Sequence, residues 1–153
     1  MPTTTTWLSA AEQRAWRNWL AVATQLPTAM HRELQRDAEL SLQDFDVLVQ
    51  LSEAEGQRAR VSDLAVSLQW ERSRLSHHIK RMEARELIGR EECADDARGA
   101  YVVLSAKGRR ALEGAAPAHA ATVKNLVFAD LSAEEVDTLT RVTDKILARL
   151  ETA

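Results

Sequence analysis

The spacing of apolar residues predicts a long helix in the first part of the chain. Ser9 and Glu12 have the spacing of a capping box, in which each side chain bonds a free backbone N–H, so the helix is expected to begin near residue 10. Apolar side chains then recur every three or four residues and share one face, at Trp16, Trp19, Leu20, Ala23, Leu26, Met30 and Leu34. Because proline lacks a backbone N–H and crowds the preceding turn, Pro27 is expected to kink this helix or to divide it in two.

The next segment predicts one further helix and then a helix-turn-helix. Ser41 and Asp44 mark a helix start, and the apolar face that follows ends before Gly56. Two shorter helical patterns cover about residues 62–68 and 71–85, and only two residues separate them. So tight a joint between two short helices is typical of the helix-turn-helix of DNA-binding proteins.

Beyond residue 88 the pattern changes from helical to extended. A polar stretch at residues 95–99 separates residues 90–94 from residues 100–104, and the last of these segments is rich in residues with a high β propensity. The pattern therefore predicts a β-hairpin, placed as the wing of a winged helix-turn-helix.

Two helices are predicted in the last third of the chain. The first covers about residues 106–128 and is expected to be broken or bent around Pro117. The second covers about residues 133–150 and begins with a capping box of Ser132 and Glu135. Its apolar residues form a narrow stripe of the kind that packs against a partner: Val136, Leu139, Val142, Ile146 and Leu150.

Composition agrees with a mainly α fold that carries a small β-hairpin wing. The chain has 153 residues, which suits one domain over residues 1–153, and it has only 5 Gly and 3 Pro. Neither a signal-peptide pattern nor an apolar run of membrane-spanning length is found in the sequence. Cys93 is the one cysteine, which excludes an intrachain disulfide. We therefore expect a cytoplasmic protein that does not associate with membranes.

Charge is distributed unevenly along the chain. Residues 58–110 contain 12 Lys or Arg and 8 Asp or Glu, which gives this segment a charge of +4. Since the whole chain carries −3, the remaining residues carry −7. A basic centre between acidic ends suits a DNA-contacting lobe, although a solvated basic face would give a similar excess.

The second helix of the predicted helix-turn-helix is strongly amphipathic. At about 100° per residue, Leu75, Ile79 and Met82 share one face. A helix fits the major groove of DNA, where Arg, Lys, Ser and His side chains can bond base edges and phosphates. The candidate DNA-binding residues of this helix lie on the opposite face and its flank: Arg72, Ser73, Arg74, Ser76, His77, Lys80 and Arg81. The alternative interpretation is an ordinary solvated face, but such a face usually mixes acidic with basic residues.

A metal site or cofactor is not expected. His77 and His78 are adjacent, so their side chains point about 100° apart on a helix and cannot grip one ion. His77 is interpreted as a DNA-facing donor and His78 as a partly buried packing residue. Cys93 is interpreted as a small strand residue, because no basic helix terminus is evident beside it to activate the thiol.

Together these segments resemble the MarR family of winged helix-turn-helix transcriptional regulators, and the resemblance covers nearly the whole chain. The segments that carry it are VSDLAVSL at residues 61–68, RSRLSHHIKRMEAR at 72–85, LI at 87–88, DAR at 96–98 and LSAKG at 104–108. Two positions depart from the family pattern. Glu86 stands where glycine is common, so the exit from the recognition helix could have a different shape. Glu71 begins that helix with a carboxylate that would repel nearby phosphate.

The resemblance implies a two-fold homodimer bound to double-stranded DNA. Terminal helices, about residues 9–40 and 106–151, would interdigitate between the two copies, and about residues 41–105 would form the DNA-binding lobe. The recognition helices would enter successive major grooves of a pseudo-palindromic operator. Arg98 at the wing tip would reach into the minor groove, steadied by Asp96. The expected dimer interface includes Leu8 and the apolar stripe of the last helix: Val136, Leu139, Val142, Ile146 and Leu150.

Many relatives in this family release DNA when a small aromatic or phenolic ligand enters a cleft between the dimer region and the DNA-binding lobe. The cleft residues expected in this chain are Trp16, Trp19, His31 and Phe45, because an aromatic lining suits a planar apolar guest. The alternative is that an apolar stripe on a first helix belongs to the dimer core.

The sequence thus predicts a sequence-specific regulator of transcription, interpreted as a repressor, and not an enzyme. The chain has no glycine loop that would cradle phosphate, no His or Cys cluster with metal spacing, and no nucleophile with a credible base. The alternative function is a helical protein-interaction module that keeps the fold but has lost DNA binding.

Overall fold

The computed structural model describes residues 6–92 and 99–153, which form six α-helices and a three-stranded sheet. The first helices are α1 (Ala10–Ala38), α2 (Leu42–Glu53), α3 (Val61–Leu68) and α4 (Arg72–Ala84). The strands are β1 (Arg58–Arg60), β2 (Ile88–Glu92) and β3 (Ala100–Leu104), and the chain ends with α5 (Ala106–Val123) and α6 (Ala133–Leu150). This mainly helical fold with a small sheet confirms the predicted fold class.

Capping boxes begin three helices, two of them at the predicted boxes of Ser9 and Ser132 and one at Ser41, where the sequence predicted only a helix start. At Ser9 the hydroxyl accepts from the Glu12 N–H at 3.2 Å, and the Glu12 carboxylate accepts from the Ser9 N–H at 2.7 Å. The same reciprocal pair starts α2 at Ser41 and α6 at Ser132. Each box satisfies two N–H groups that the first helical turn would otherwise leave unpaired, which fixes the start of the helix locally.

Neither internal proline divides its helix. Pro27 lies inside the continuous α1, and Pro117 lies inside the continuous α5, which runs on into a π-helical turn at Lys124–Phe128. The structure thus excludes a division of the helix at either proline, whereas the other expectation at each residue, a kink or bend, stays a prediction. Each proline removes one backbone hydrogen bond, and the preceding turns at Ala23 and Glu113 are exposed, so water can satisfy the freed carbonyl groups.

The sheet contains one strand that the sequence pattern did not predict. Strand order is β1-β3-β2, with both pairs antiparallel. The predicted hairpin corresponds to β2 and β3, which pair from Ile88 with Leu104 to Glu92 with Ala100. The added strand, β1, is three residues long and pairs Ala59 with Val102. It joins the start of α3 to the wing.

The elements between α2 and β3 share one hydrophobic core, and the end of α1 and the first half of α5, with Ala111, Leu112 and Ala115, pack against it. The fully or nearly fully buried residues include Leu34, Leu40, Val47, Leu48, Leu51, Leu64, Leu75, Ile79, Met82, Val102 and Ala115. The first half of α1 and the whole of α6 lie outside this core in the protomer. None of the helices in the described residues is long and apolar enough to cross a membrane.

The exit from α4 keeps a left-handed turn although it contains no glycine. Glu86 has φ 62°, and Leu87 N–H donates to the Met82 carbonyl at 3.1 Å. This is the hydrogen-bond pattern of a glycine-type helix end. The departure at Glu86 therefore changes the side chain but not the direction in which the chain leaves the helix.

Candidate DNA-binding surface

Helix α4 separates its residues into a buried and an exposed side, as predicted. Leu75, Ile79 and Met82 are completely buried in the core. The candidate DNA-binding residues point away from it: Arg72, Ser73, Arg74, His77, Lys80 and Arg81 are exposed, and Ser76 is half-buried. No other part of the described protein covers this side, so a duplex can approach it.

Electrostatics on the exposed side of α4 favours an anionic partner. Within the helix the one acidic residue is Glu83, and its carboxylate pairs with Arg90 of β2 at 3.2 Å. The N-cap residue Glu71 makes no side-chain hydrogen bond to the first turn. The N–H groups of that turn, together with the arginines and Lys80, thus offer donors suited to phosphate oxygens.

The flank of α4 is organised around Trp70 and His78. The guanidinium of Arg74 lies 4.7 Å from the centre of the Trp70 ring, and His78 meets the same ring edge-on at 5.7 Å. One guanidinium nitrogen of Arg81 lies 3.2 Å from His78 Nδ1. These contacts place both arginines at the edge of the exposed side, where cation–π and hydrogen-bond contacts restrict their rotamers.

His78 is buried, as predicted, and it contacts a carboxylate that the sequence did not reveal. His78 Nε2 lies 2.9 Å from Asp44 Oδ1, and the two residues are 8% and 4% exposed. The separation is that of an ion pair, although the N–H of His78 is not aligned for a full hydrogen bond. Sequence analysis assigned Asp44 only to a helix start, because nothing in the local pattern indicates a contact with residues more than 30 positions away.

The second carboxylate oxygen of Asp44 is also paired. It accepts from Arg85 Nη1 at 2.7 Å and from the Ser41 N–H at 2.9 Å. Burial alone would raise the pKa of the Asp44 carboxyl, but the contacts from His78, Ser41 and Arg85 hold that pKa well below its usual range. Asp44 is therefore a buried, ionised group at the junction of α2 and α4.

The wing strands lie beside this surface. Arg58 of β1 pairs with Glu91 of β2 at 2.9 Å, and its guanidinium lies 4.5 Å from the centre of the Tyr101 ring of β3. These contacts connect all three strands on the exposed side of the sheet. Asp96 and Arg98, predicted to act at the wing tip, and Cys93 lie outside the described residues.

Sequence and structure comparisons both identify one family. The sequence model of the MarR family matches residues 38–99. Over its length the chain is similar to the structure of AbsC, a MarR family transcriptional regulator from Streptomyces coelicolor, with 38% identity, a TM-score of 0.90, and coverage of 97% of this chain and 100% of AbsC. The chain belongs to the MarR family of transcriptional regulators.

Two further proteins have similar structures. Sco3205 from Streptomyces coelicolor, solved in complex with DNA, has 35% identity and a TM-score of 0.88, with 94% of this chain and 89% of Sco3205 covered. BpsR from Bordetella bronchiseptica, whose DNA binding is regulated by 6-hydroxynicotinic acid, shares the fold at 22% identity and a TM-score of 0.72, with 86% of this chain and 98% of BpsR covered. No curated protein sequence gave a significant match.

Most of the residues predicted for the dimer interface of this MarR protein are left exposed by the described part of its own chain. Helix α6 buries none of its residues, and Leu139, Val142, Ile146 and Leu150 are exposed, whereas Val136 is half-buried. Leu8 is exposed just before α1. An apolar stripe left open along a whole helix is the surface expected of a helix that packs against another molecule.

The four predicted ligand residues occupy two separate places. Trp16 and Trp19 are about half exposed on the first half of α1, and His31 lies 12 residues after Trp19, about 18 Å along the helix. His31 Nδ1 accepts from the Leu42 N–H at 3.1 Å, and the buried Phe45 packs against His119 with 4.4 Å between ring centres. Within one protomer these residues do not share a cleft, so their joint role in ligand binding stays a prediction.

A cavity of about 720 Å³ lies between the middle of α1 and the π-helical turn. Its lining is mainly apolar and contains none of the four predicted residues. The lining residues are Ala21, Val22, Thr24, Gln25, Leu26, Thr28, Ala29, Arg32, Leu126 and Val127.

Proposed function

We propose that this protein is a sequence-specific, double-stranded-DNA-binding repressor that acts as a homodimer and has no catalytic role. The observation that carries the proposal is the exposed side of α4, which combines basic residues with Ser73 and His77 and is not covered by the described protein. Arg, Lys, Ser and His are the residues that bond phosphates and base edges in the major groove. Its site of action is then the cytoplasm, where bacterial DNA lies.

The dimer follows from the apolar surface that one chain cannot bury. Leu8, the two tryptophans on the first half of α1 and all of the α6 stripe except the half-buried Val136 are exposed in the protomer. A second copy can cover them through a two-fold interface, in which the same residues contribute from both chains. Such a dimer presents two α4 helices to half-sites about one helical turn apart, roughly 34 Å. An operator read in this way is pseudo-palindromic, and its occupation blocks polymerase.

The wing and a small ligand complete the proposed mechanism. Arg98, steadied by Asp96, is proposed to enter the minor groove beside the recognition helix. BpsR, which shares the fold, is regulated by the small aromatic acid 6-hydroxynicotinic acid. We extend this kind of control to the present chain, with a small aromatic or phenolic effector that releases the operator.

The decisive experiment is selection from a randomised duplex library followed by affinity measurements over a range of salt concentrations. Each phosphate contact releases counterions, so the affinity of the dimer for its selected duplex is expected to fall steeply as salt rises. Lys80→Ala should reduce this slope by about one counterion, whereas Lys124→Ala, which removes the same charge from the exposed π-helical turn, should leave the slope unchanged. Failure to enrich any duplex, or a flat salt response, would favour the protein-interaction module instead.

A further inference from the structure

One arginine connects the end of the recognition helix to the corner between α1 and α2. Arg85, the C-cap residue of α4, donates through Nη1 to Asp44 Oδ2 at 2.7 Å and through Nη2 to the Glu39 carbonyl at 2.7 Å. Glu39 is the C-cap residue of α1, and Asp44 lies in the first turn of α2. A planar guanidinium with two fixed partners on two different helices is a directional contact.

A second contact attaches α4 to the same carboxylate. His78 contacts Asp44 Oδ1, and it lies seven residues before Arg85, about 10 Å along the helix. One attachment would fix only the distance between α4 and α2. Two attachments to Asp44, separated along the helix, also fix the direction of the α4 axis.

On the side that faces the core, the packing of α4 is less directional. Leu75, Ile79 and Met82 pack in the core through apolar contacts. Such contacts stabilise the buried state but are non-directional, so they tolerate small rotations and shifts of the helix. A cavity of about 420 Å³ lies on the side of α4 that faces α1 and α2, between Gln35, Trp70 and Arg85. Because this side is not filled, steric packing alone does not prevent the helix from tilting toward the corner.

A buried carboxylate is an expensive way to gain stability. Burying a charge costs several kcal/mol, which the ion pairs only offset, and well-packed apolar residues in the same place are often as stabilising. Unlike apolar packing, the contacts of Asp44 with His78 and Arg85 fix the orientation of α4. Because α1 also belongs to the proposed dimer interface, the orientation of α4 relative to α1 determines how the two α4 helices of the dimer lie relative to each other.

We propose that Asp44 is a positioning residue for DNA recognition: with His78 and Arg85 it forms a clamp that fixes α4 relative to α1 and thereby sets the half-site spacing that the dimer accepts. This inference rests on the proposed function, since spacing has meaning only for a dimer on DNA. Without the clamp, α4 can tilt against the dimer helices, and the dimer accepts neighbouring spacings more readily.

The test measures spacing preference with the full-length dimer. The selected operator is synthesised with its half-sites at the preferred separation and at separations one and two base pairs shorter or longer, and affinities are compared for wild type, Asp44→Asn and Arg85→Gln. Asp46→Asn is the matched control, because Asp46 lies in the same helix turn and its electrostatic partner is His119 of α5. Ratios of affinities between spacings do not depend on the fraction of active protein, so partial unfolding does not imitate the effect.

For wild type and Asp46→Asn we expect a preference of the order of tenfold for one spacing, comparable to the cost of a mismatched base pair. Asp44→Asn and Arg85→Gln should reduce this preference to about threefold or less, while single-base preferences within a half-site persist. An unchanged spacing profile in both variants would overturn the clamp, even if all affinities fall together. Wild type that enriches no operator would instead refute the proposed function, so the two failures are distinguishable.

Discussion

Gly108 marks the point where α5 comes closest to the exit of the recognition helix. A Cβ atom at this position would lie far inside van der Waals contact with the Leu87 carbonyl oxygen, and only 3.0 Å from its carbon and 3.1 Å from Leu104 Cδ1. Two of these three atoms are backbone, so a rotamer change cannot make room. Gly108→Ala therefore requires the first turn of α5 to move away from Leu87.

The magnitude follows from the contacts that such a movement disturbs. Ser105 caps α5 by accepting from the Gly108 N–H at 2.9 Å, and its hydroxyl donates to the Glu86 carbonyl at 2.6 Å. Overpacking costs about 1–3 kcal/mol and a lost cap about 1 kcal/mol, against a gain of about 1 kcal/mol in helix propensity. The net loss of unfolding free energy is then roughly 1–3 kcal/mol, which lowers Tm by roughly 2–12 °C for a chain of this length.

Two matched glycines serve as controls for Gly108→Ala. A Cβ at Gly114, in the same helix, or at Gly89, in β2, would meet nothing within 4 Å in the protomer. Ala at either position should leave Tm unchanged or raise it by a few degrees, because about 0.5–1 kcal/mol of backbone entropy is recovered. Thermal unfolding followed by far-UV circular dichroism, at one fixed protomer concentration, gives the comparison. A Gly108→Ala protein that melts at or above the wild-type temperature would refute the reasoning.

Three further changes have expected outcomes. Burial raises the pKa of Asp46, an effect that the nearby His119 partly opposes, so the ionised form of Asp46 destabilises the folded state. Asp46→Asn should therefore increase the unfolding free energy at pH 7. Urea titrations should show that this gain disappears as the pH falls toward 4, where Asp46 becomes protonated in the wild type. Glu86→Gly removes left-handed strain and should raise the unfolding free energy by about 1 kcal/mol; an unchanged urea midpoint would argue against strain at this turn. Leu139→Asp or Ile146→Asp should produce monomers in analytical ultracentrifugation, since each buries a charge in the proposed interface, and a stable dimer in both would mean that α6 is not the interface.

Local patterns predicted most of the fold. The capping boxes at Ser9, Ser41 and Ser132 fixed helix starts because both partners lie within one turn of sequence. The exposed side of α4 was predictable for the same reason, since helical periodicity alone determines which residues share a face. Strand β1 was not predicted, because three residues carry no period of their own and are extended only through pairing with β3.

The residues that sequence analysis missed are linked over long distances. Asp44 and Arg85 are separated by 41 positions, and each has an ordinary local explanation, one as a helix start and the other as part of a basic helix. The predicted ligand residues illustrate the converse. The family resemblance and an aromatic lining suggested one cleft formed by Trp16, Trp19, His31 and Phe45, but the length of α1 separates Trp19 from His31.

The central claim is that the exposed side of α4 reads one half-site while the same side of a second copy reads the next. Selection from a randomised duplex library, carried out in parallel with wild type and His77→Ala, tests it most directly. We expect wild type to enrich an inverted repeat with half-site centres about 10 base pairs apart, and His77→Ala to lose preference at one symmetric pair of positions while the others persist. A wild-type motif without two-fold symmetry, or a His77→Ala motif that is identical to it at every position, would contradict the account.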